Sequence, residues 1–440
     1  MNSNGMKDLQ TGMGKYRYRI LALLLFATTI NYFDRSIIGV MAPALQRLFD
    51  WSNEDYANII VSFQVAYAIG LLSMGRIIDK LGTKIGYTLA IGIWSIFGML
   101  HAAVRPAFSV IGFSLARFGL GFGEAGNFPA AIKAVAEWFP KKERAFATGI
   151  FNAATSLGAI AAPFVVGWIV LEDGTNWQIP FLITGALSSI WVFLWWRTYR
   201  KPEEHPKVRK QELAYILSDS EVEVSKESLP WLRIVKKREA WAFAVAKLTD
   251  AVWYFYLFWG AKFLAETFGL KLKDIGVPFF IMYALADGGS ILGGYLSGYF
   301  IKKGWSINKA RKTTLLICAI MIIPVCYVAL AENKWVAVVL IGIGAAGHQA
   351  WSANIYTLVS DVFPKKATAS IIGLGGMVGA VAGIISSKLL GRFLDQADNT
   401  AYFWAFLIAG SSYLIVLGAV HLLMPKMVPY DENLERVKKS

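Results

Sequence analysis

The sequence predicts an all-α membrane protein in which twelve membrane-crossing helices form two pseudo-symmetric six-helix halves. Three observations carry that prediction. Of 440 residues, 56% are hydrophobic and only 17% charged, and the mean hydropathy is +0.47, far too apolar for a soluble chain of this length. The basic residues sit between apolar stretches on alternate loops, the bias of loops retained on the cytoplasmic side. The chain also repeats itself. Phe139-Pro140-Lys141-Lys142 returns 224 positions later as Phe363-Pro364-Lys365-Lys366, with Gly123-Glu124 aligning to Gly347-His348 and Gly75 to the neighbourhood of Gly294.

The membrane-length stretches run over 16–48, 56–78, 84–104, 107–139, 145–170, 177–197, 239–266, 275–300, 311–331, 335–362, 367–391 and 400–424. Segment 1 is long: about 33 residues make roughly 50 Å of helix, more than the ~30 Å hydrocarbon core, so it tilts or extends beyond it. Lys15, Arg17 and Arg19 precede it without a small-residue cleavage site, so no cleavable leader is expected. Lys80 and Lys84 follow segment 2, and Lys141, Lys142 and Arg144 follow segment 4. Lys302, Lys303, Lys309, Arg311 and Lys312 follow segment 8, and Lys365 and Lys366 follow segment 10. The opposite loops carry Asp50, Glu54, Asp55, Glu172, Asp173, Asp395 and Asp398. Both termini are therefore expected in the cytoplasm. The stretch 198–238 holds Pro202, Pro206, Pro230 and charges of both signs. It reads as a cytoplasmic linker with one or two short surface helices, dividing an N-terminal half (1–197) from a C-terminal half (239–440). Two related halves place a solute site between them near the membrane midplane.

Composition also excludes. The net charge of +14 is spread over loops rather than gathered in one patch, which speaks against nucleic acid. Cys318 and Cys326 share one apolar segment and read as packing. No His/Cys cluster suggests a metal and no glycine-rich phosphate loop suggests a nucleotide. No cofactor is expected, and energy should come from an ion gradient. No nucleophile–base arrangement points to an enzyme.

Segment 1 carries Asn31-Tyr32-Phe33-Asp34-Arg35 in the middle of an apolar run. A charge at that depth costs about 2.5–3.5 kcal/mol on insertion scales, and such residues mark function by default. Consecutive helical positions point about 100° apart, so one of the pair can face a central cavity while the other faces a neighbouring helix. Arg35 offers a planar fork that fits a carboxylate. Asp34 is a candidate proton carrier. The structural alternative is that the two satisfy each other. Segment 4 reads Arg117-Phe118-Gly119-Leu120-Gly121-Phe122-Gly123-Glu124 and continues to Pro129. Arg117 and Glu124 share a face about 10 Å apart along the axis. The glycines allow close packing against a neighbour, and Pro129 can kink the helix. A carboxyl balanced between burial and a guanidinium can take up and release a proton. The alternative is a static Arg117–Glu124 pair. Lys133, nine residues on, points to the opposite face and can snorkel to the membrane edge.

Segment 2 ends in Gly75-Arg76-Ile77-Ile78-Asp79-Lys80-Leu81-Gly82-Thr83-Lys84. The glycines let helix ends approach, and Asp79 can accept hydrogen bonds from a helix N-terminus across the boundary between the halves. The second half is more aromatic. Segment 7 carries Lys247, Asp250, Trp253, Tyr254, Tyr256 and Trp259; segment 8 carries Asp287; segment 10 carries His348, Gln349, Trp351, Ser352 and Asn354. Rings stack on sugar faces and Asn, Gln and Ser bond hydroxyls, which suits a polyhydroxylated solute, although core packing is the plainer reading of any one aromatic. Lys247 and Asp250, three apart, are expected to pair, with Asp287 able to join them. Asp287 stands evenly between structural and proton-coupled roles. His101, His205 and His421 are assigned nothing.

Together these motifs resemble the anion:cation symporter branch of the major facilitator superfamily, above all in Asn-Tyr-x-Asp-Arg on segment 1 and Arg-x6-Glu-Ala on segment 4. Within the branch the hexuronate permeases are most similar. That match rests on Lys133-Ala134-Val135-Ala136-Glu137-Trp138-Phe139-Pro140, on Thr249-Asp250-x-Val252-Trp253-Tyr254-Phe255-Tyr256-Leu257-Phe258-Trp259 and on Ala286-Asp287-Gly288-Gly289-Ser290. The resemblance implies a proton-coupled symporter that imports galacturonate or glucuronate across a bacterial cytoplasmic membrane as a single functional chain in the lipid bilayer. It implies that Arg35 and Tyr32 meet the substrate carboxylate and a neighbouring hydroxyl, and that Tyr67 lines the cavity. Asp34 and Glu124 would accept protons, with Arg117 tuning Glu124. Tyr254, His348, Trp351, Ser352 and Asn354 would complete the substrate site. It implies further that Gly75, Asp79, Gly82 and Lys84 latch the halves in the outward-open state. The second such loop departs from the pattern, with Gly298 where an acid would match Asp79. Gly158-x4-Pro163-x3-Gly167 resembles the exporter motif only loosely, and antiport is not read from it. The alternatives are a symporter for another organic anion (aldonate, aldarate or aromatic acid) and a non-transporting sensor on the same fold.

Overall fold

The computed structural model describes residues 14–171, 173–219, 231–396, 400–431 and 433–436, apart from the side chains at 141, 142, 145, 365, 366 and 369. Glu172, Pro230, Asp398 and the side chains of Lys141, Lys142, Lys365 and Lys366 therefore lie outside the described residues.

All the expected segments are helical. Segment 1 is the helix Tyr16–Phe49, with Pro43 inside it. Segments 2 and 3 run on as Asn53–Leu100, but the backbone at Gly82 (φ 79°, ψ 161°) leaves the helix and separates them. Segment 4 is two helices, Ser109–Glu124 and Asn127–Trp138. The break falls at Ala125–Gly126, where Pro129 offers no N–H to the carbonyl four residues earlier. Segments 5 and 6 are Lys141–Ile169 and Gln178–Thr198. Segment 7 is interrupted: Arg238–Ala246, a 3-10 turn Lys247–Thr249, then Asp250–Phe268. Gly276–Lys302 and Ile307–Ile322 follow, the latter tightening into a 3-10 stretch Ile323–Leu330. Lys334–Val362, Lys365–Asp395 and Ala401–Leu423 complete the chain as segments 10 to 12. Among the described residues, ten stretches are individually long and apolar enough to span a membrane. The Gly82 break divides one of them, and the charged, broken segment 7 adds the twelfth.

The linker contributes the helices Lys210–Ile216 and Trp231–Val235. The first is anchored rather than loose. Glu212 is fully buried and pairs with Arg17, whose Nε also reaches Glu143 at 3.0 Å. His205 packs its ring 4.2 Å from that of Tyr16, and burial holds its pKa below the ordinary value.

Bonds between the halves concentrate at one end of the bundle. The Asp395 carboxylate, closing segment 11, accepts the N–H groups of Asn53 (2.8 Å) and Glu54 (2.7 Å) at the start of segment 2. A carboxylate there completes two of the helix's free donors and opposes its dipole. Arg392 donates to Glu54 at 3.0 Å and Lys388 reaches the Asn58 amide. The Tyr56 hydroxyl donates to the Phe258 carbonyl at 2.6 Å, and Lys262 to Gln46 at 2.6 Å. Bare glycines permit the approach: Gly39 lies on the Leu257–Phe258 backbone and Gly391 on Asn53 and Ala57. A hollow of about 740 Å³ lined by Arg47, Asp50, Lys262 and Glu266 sits at this sealed end. At the opposite end Gly75, Gly82 and Gly373 face open space. Among the described residues the halves are thus joined at the end with the 1–2 and 11–12 loops and open at the end with the 2–3 and 10–11 loops.

A β-carbon built at Gly391 would stand 2.6 Å from that of Ala57, and a small shift brings two cysteines there into disulfide range. The double variant Ala57→Cys/Gly391→Cys should oxidise, lose maleimide labelling relative to each single variant, and stop transport until reduced. Full labelling of both cysteines under oxidant would show that this end does not close.

Candidate functional site

Segments 1, 2 and 4 bring two acids and two guanidiniums together inside the N-terminal half. Asp34, Arg35, Arg117 and Glu124 are all buried. Arg35 Nε donates to Glu124 Oε2 at 3.0 Å, and Nη2 stands 2.9 Å from the same oxygen at an angle too poor to bond. The guanidinium lies over the rings of Tyr32 (4.7 Å), Tyr67 (4.6 Å) and Phe63 (5.3 Å). Arg117 also lies on Phe63, 4.6 Å from the ring centre, and its Nη2 donates to the Arg35 carbonyl at 3.5 Å. Its charge acts on both Asp34 and Glu124. Asp34 is turned toward the Thr184 hydroxyl of segment 6.

Two sequence-based readings change. The ion pair of segment 4 is not the in-helix Arg117–Glu124 pair but a bond from Glu124 to Arg35 on segment 1. Asp34 and Arg35 do not satisfy each other, since their side chains diverge toward different helices. Close packing makes the cross-helix contact possible. Gly121 lies on the Phe63 carbonyl, Gly123 on Ala90 and Trp94, and Gly158 of segment 5 on the Thr29 carbonyl.

The site holds polar capacity in reserve. Among the described residues, Glu124 Oε1, Arg117 Nε and Nη1, Asn31 Nδ2 and both amide atoms of Gln64 are buried without a hydrogen-bond partner. Native interiors satisfy nearly all such groups with protein, water or a bound ion.

Across the boundary, Tyr254 of segment 7 lies against Gly383 of segment 11 near Gln64. It is an electrostatic neighbour of Tyr67 and Arg35 on one side and Asp250 on the other. Tyr356 of segment 10 is likewise a neighbour of Tyr32. Ser352, one turn before Tyr356, shares its more open face. The other segment 10 candidates point into the C-terminal half. His348 bonds the Tyr413 hydroxyl at 2.6 Å and stacks on Trp253. Trp351 Nε1 donates to the Ala246 carbonyl at 3.3 Å, and Asn354 Nδ2 to Gly293 at 2.9 Å. These bonds hold segments 7, 8, 10 and 12 together, and Asn354 Oδ1 is left without a partner among the described residues. Sequence reading missed Tyr356, Gln64 and Phe63. The signal was present: Gln64 and Tyr67 are one turn apart in segment 2, as are Ser352 and Tyr356 in segment 10.

Lys247 pairs with Asp250 at 2.5 Å, as the spacing suggests. Asp287 does not join them; it accepts the Ser156 hydroxyl of segment 5 at 2.7 Å, a bond between the halves. At the open end Asp79 pairs with Lys133 of its own half at 2.7 Å, and Lys84 lies 4.9 Å over the Trp196 ring. Asp79 is thus held within its own half, and among the described residues it bonds no helix N-terminus of the other. In the second half Arg311 bridges Ser297 and Asp361 at 2.7 and 2.8 Å, beside Gly298 where the matching acid is missing.

The family model described as the Major Facilitator Superfamily matches residues 24–387. The chain belongs to that superfamily. This major facilitator protein is 33% identical over 392 residues to the hexuronate transporter of Escherichia coli (strain K12), covering 88% of this chain and 90% of the relative. It is 26% identical over 436 residues to a probable galactarate/D-glucarate transporter of Bacillus subtilis (strain 168), covering 95% of each. In fold it is similar to a bacterial homolog of the human lysosomal transporter Spinster, with TM-score 0.74 at 20% identity over 94% of this chain and 98% of the other. The protein is accordingly a multi-pass membrane transporter related to sugar-acid transporters, and not an enzyme.

Arg117 makes no ion pair among the described residues, its Nε and Nη1 are buried without a hydrogen-bond partner, and its one bond is the 3.5 Å contact to the Arg35 carbonyl, so removing it also removes the cost of burying unsatisfied donors. Arg117→Met should leave the melting temperature in detergent within about 2 °C of the parent or above it, while abolishing accumulation of solute. A large fall in melting temperature would make this guanidinium a structural brace instead.

Proposed function

We propose that this transporter imports a sugar-acid anion, most plainly a hexuronate, together with a proton across a bacterial cytoplasmic membrane, acting as a monomer. The observation that carries this reading is the Arg35–Glu124 bond. The edge of Arg35 that would grip a substrate carboxylate is the edge that Glu124 occupies. Anion and Glu124 therefore compete for one guanidinium. A proton on Glu124 removes its charge and releases Arg35, so proton and anion each favour binding of the other, a reciprocal linkage between two ligands. Charge bookkeeping agrees. Asp34, Glu124, Arg35 and Arg117 sum to zero when ionised; a monoanion makes the site negative, and one proton restores neutrality, which lowers the cost of carrying it through a low-dielectric interior. Asp34 is the second proton acceptor in this scheme, reporting to Glu124 through Arg117.

Tyr32 and Tyr67 flank the guanidinium, and Tyr254, Tyr356 and Ser352 supply hydroxyls from the other half for a polyhydroxylated ring. The names of the relatives, a hexuronate transporter and a probable galactarate/D-glucarate transporter, support the substrate class. The basic loops lie at the open end. With those loops and both termini in the cytoplasm, the structure is the inward-open state, and the Asp395, Arg392 and Lys388 bonds form the outer seal. Release of Asp79 from the opposite half fits that state, because its latch belongs to the outward-open one.

Reconstituted in liposomes, the parent should concentrate labelled galacturonate when a proton gradient is imposed, with uptake rising as the outside is acidified. Glu124→Gln should fail to accumulate substrate against its gradient yet still exchange internal for external galacturonate. Normal accumulation by this variant would exclude Glu124 as the coupling carboxyl.

A further inference from the structure

The C-terminal half holds its own ion pair facing the tyrosine belt, and the transport scheme does not use it. Lys247 is buried, with Nζ 2.5 Å from Asp250 Oδ2, 3.3 Å from the Tyr356 hydroxyl and 5.2 Å over the Tyr356 ring. Local backbone builds it. Segment 7 tightens to a 3-10 turn at Lys247–Thr249, and in that geometry positions i and i+3 eclipse, so the two side chains are brought into register. Segment 11 makes room. A β-carbon at Gly379 would stand 2.7 Å from Asp250 Oδ2, and one at Gly375 2.9 Å from Lys247 Cγ. His348 and Tyr413 are the further titratable groups whose charges act with the pair.

Two tyrosines link the pair to the surroundings of Arg35. Tyr254 has both Asp250 and Arg35 as electrostatic neighbours, and Tyr356, which bonds Lys247, neighbours Tyr32. A linear sugar acid anchored by one carboxylate on Arg35 would direct its far end toward Lys247 and Asp250. An unpaired lysine there would welcome a second carboxylate. A lysine already neutralised by Asp250 offers none of its charge, and the aspartate repels the newcomer. Hydroxyls, by contrast, find a donor and an acceptor side by side.

We infer that Asp250, by neutralising Lys247, restricts the site to solutes with one carboxylate and selects against dicarboxylates. This rests on the reading of the protein as a sugar-acid transporter with Arg35 as its anion anchor. Asp250 is a specificity residue here, and specificity is a difference of two affinities in which repulsion counts as much as attraction.

The test is competition of unlabelled galacturonate and galactarate against labelled galacturonate on the purified full-length protein. The parent should prefer galacturonate over galactarate by about tenfold or more, and Asp250→Asn should shift that ratio toward galactarate by about tenfold. Adding Lys247→Met to Asp250→Asn should cancel the gain, because the freed cation is gone; a merely structural role for Asp250 would not produce that reversal. Asp250→Ser provides the same reading if the Asn variant is not monodisperse. A parent that binds the two acids equally overturns the inference and leaves sugar-acid transport standing, with no variant required. Well-folded Asn and Ser variants with the parental ratio overturn it as well. A parent that binds neither acid overturns the transport reading and this inference with it.

Discussion

A buried guanidinium shared between rings and one carboxylate organises the centre of this molecule. Arg35 joins segment 1 to segment 4 through Glu124, to segment 2 through Phe63 and Tyr67, and to its own helix through Tyr32. Removing either partner of such a pair leaves a bare charge in the interior, a cost of about 3–5 kcal/mol. The N-terminal half is thereby held as one block, and the polar groups left over, on Arg117, Glu124, Asn31 and Gln64, are those a solute can satisfy. In the proposed scheme stability and binding draw on the same four charges, and Gly121, Gly123 and Gly158 admit no side chain where the helices touch.

The fold was legible because a bilayer leaves few options. Backbone groups in hydrocarbon must bond within the helix, so apolar length and loop charge mark each segment with little ambiguity. Interruptions were harder to place. The Gly82 break could be read from its loop, but the 3-10 turn in segment 7 could not, since Lys247 and Asp250 look equally at home on an unbroken helix. At the site, residue identity was legible and pairing was not. Asp34, Arg35, Arg117 and Glu124 stand out as charges in apolar runs. That Glu124 chooses Arg35, 89 positions away, over Arg117 on its own helix depends on how two helices are juxtaposed, which no periodicity within one of them encodes. The same limit explains segment 10. His348, Trp351 and Asn354 have the chemistry of sugar binding, yet their side of the helix packs on segments 7, 8 and 12, while Ser352 and Tyr356 take the open side.

The halves share a plan and divide the labour. Glu124 and His348 occupy equivalent places in the repeat, but the first pairs with an arginine across helices and the second with the neutral Tyr413 hydroxyl. Charge with unspent hydrogen-bonding capacity is concentrated in the first half. In the second, Lys247 and Asp250 cancel at close range and Arg311 is absorbed by Ser297 and Asp361. One half is therefore electrostatically responsive while the other presents a preset surface.

Segment 11 runs between them with one side nearly bare. Gly375, Gly379 and Gly383, at successive four-residue spacings, lie on Phe243, Asp250 and Tyr254, and Gly391, farther along the helix, lies on Ala57. Ridges of side chains normally lock helices at a preferred crossing; at Gly375, Gly379 and Gly383 that ridge is missing. The helix is a smooth journal on which its neighbours can roll. Friction being low along the shaft, the resting position is decided at one end, where Asp395, Arg392 and Lys388 are fastened, and a methyl group added at Gly391, away from the site, would act as a brake on turnover rather than as a change in what is carried.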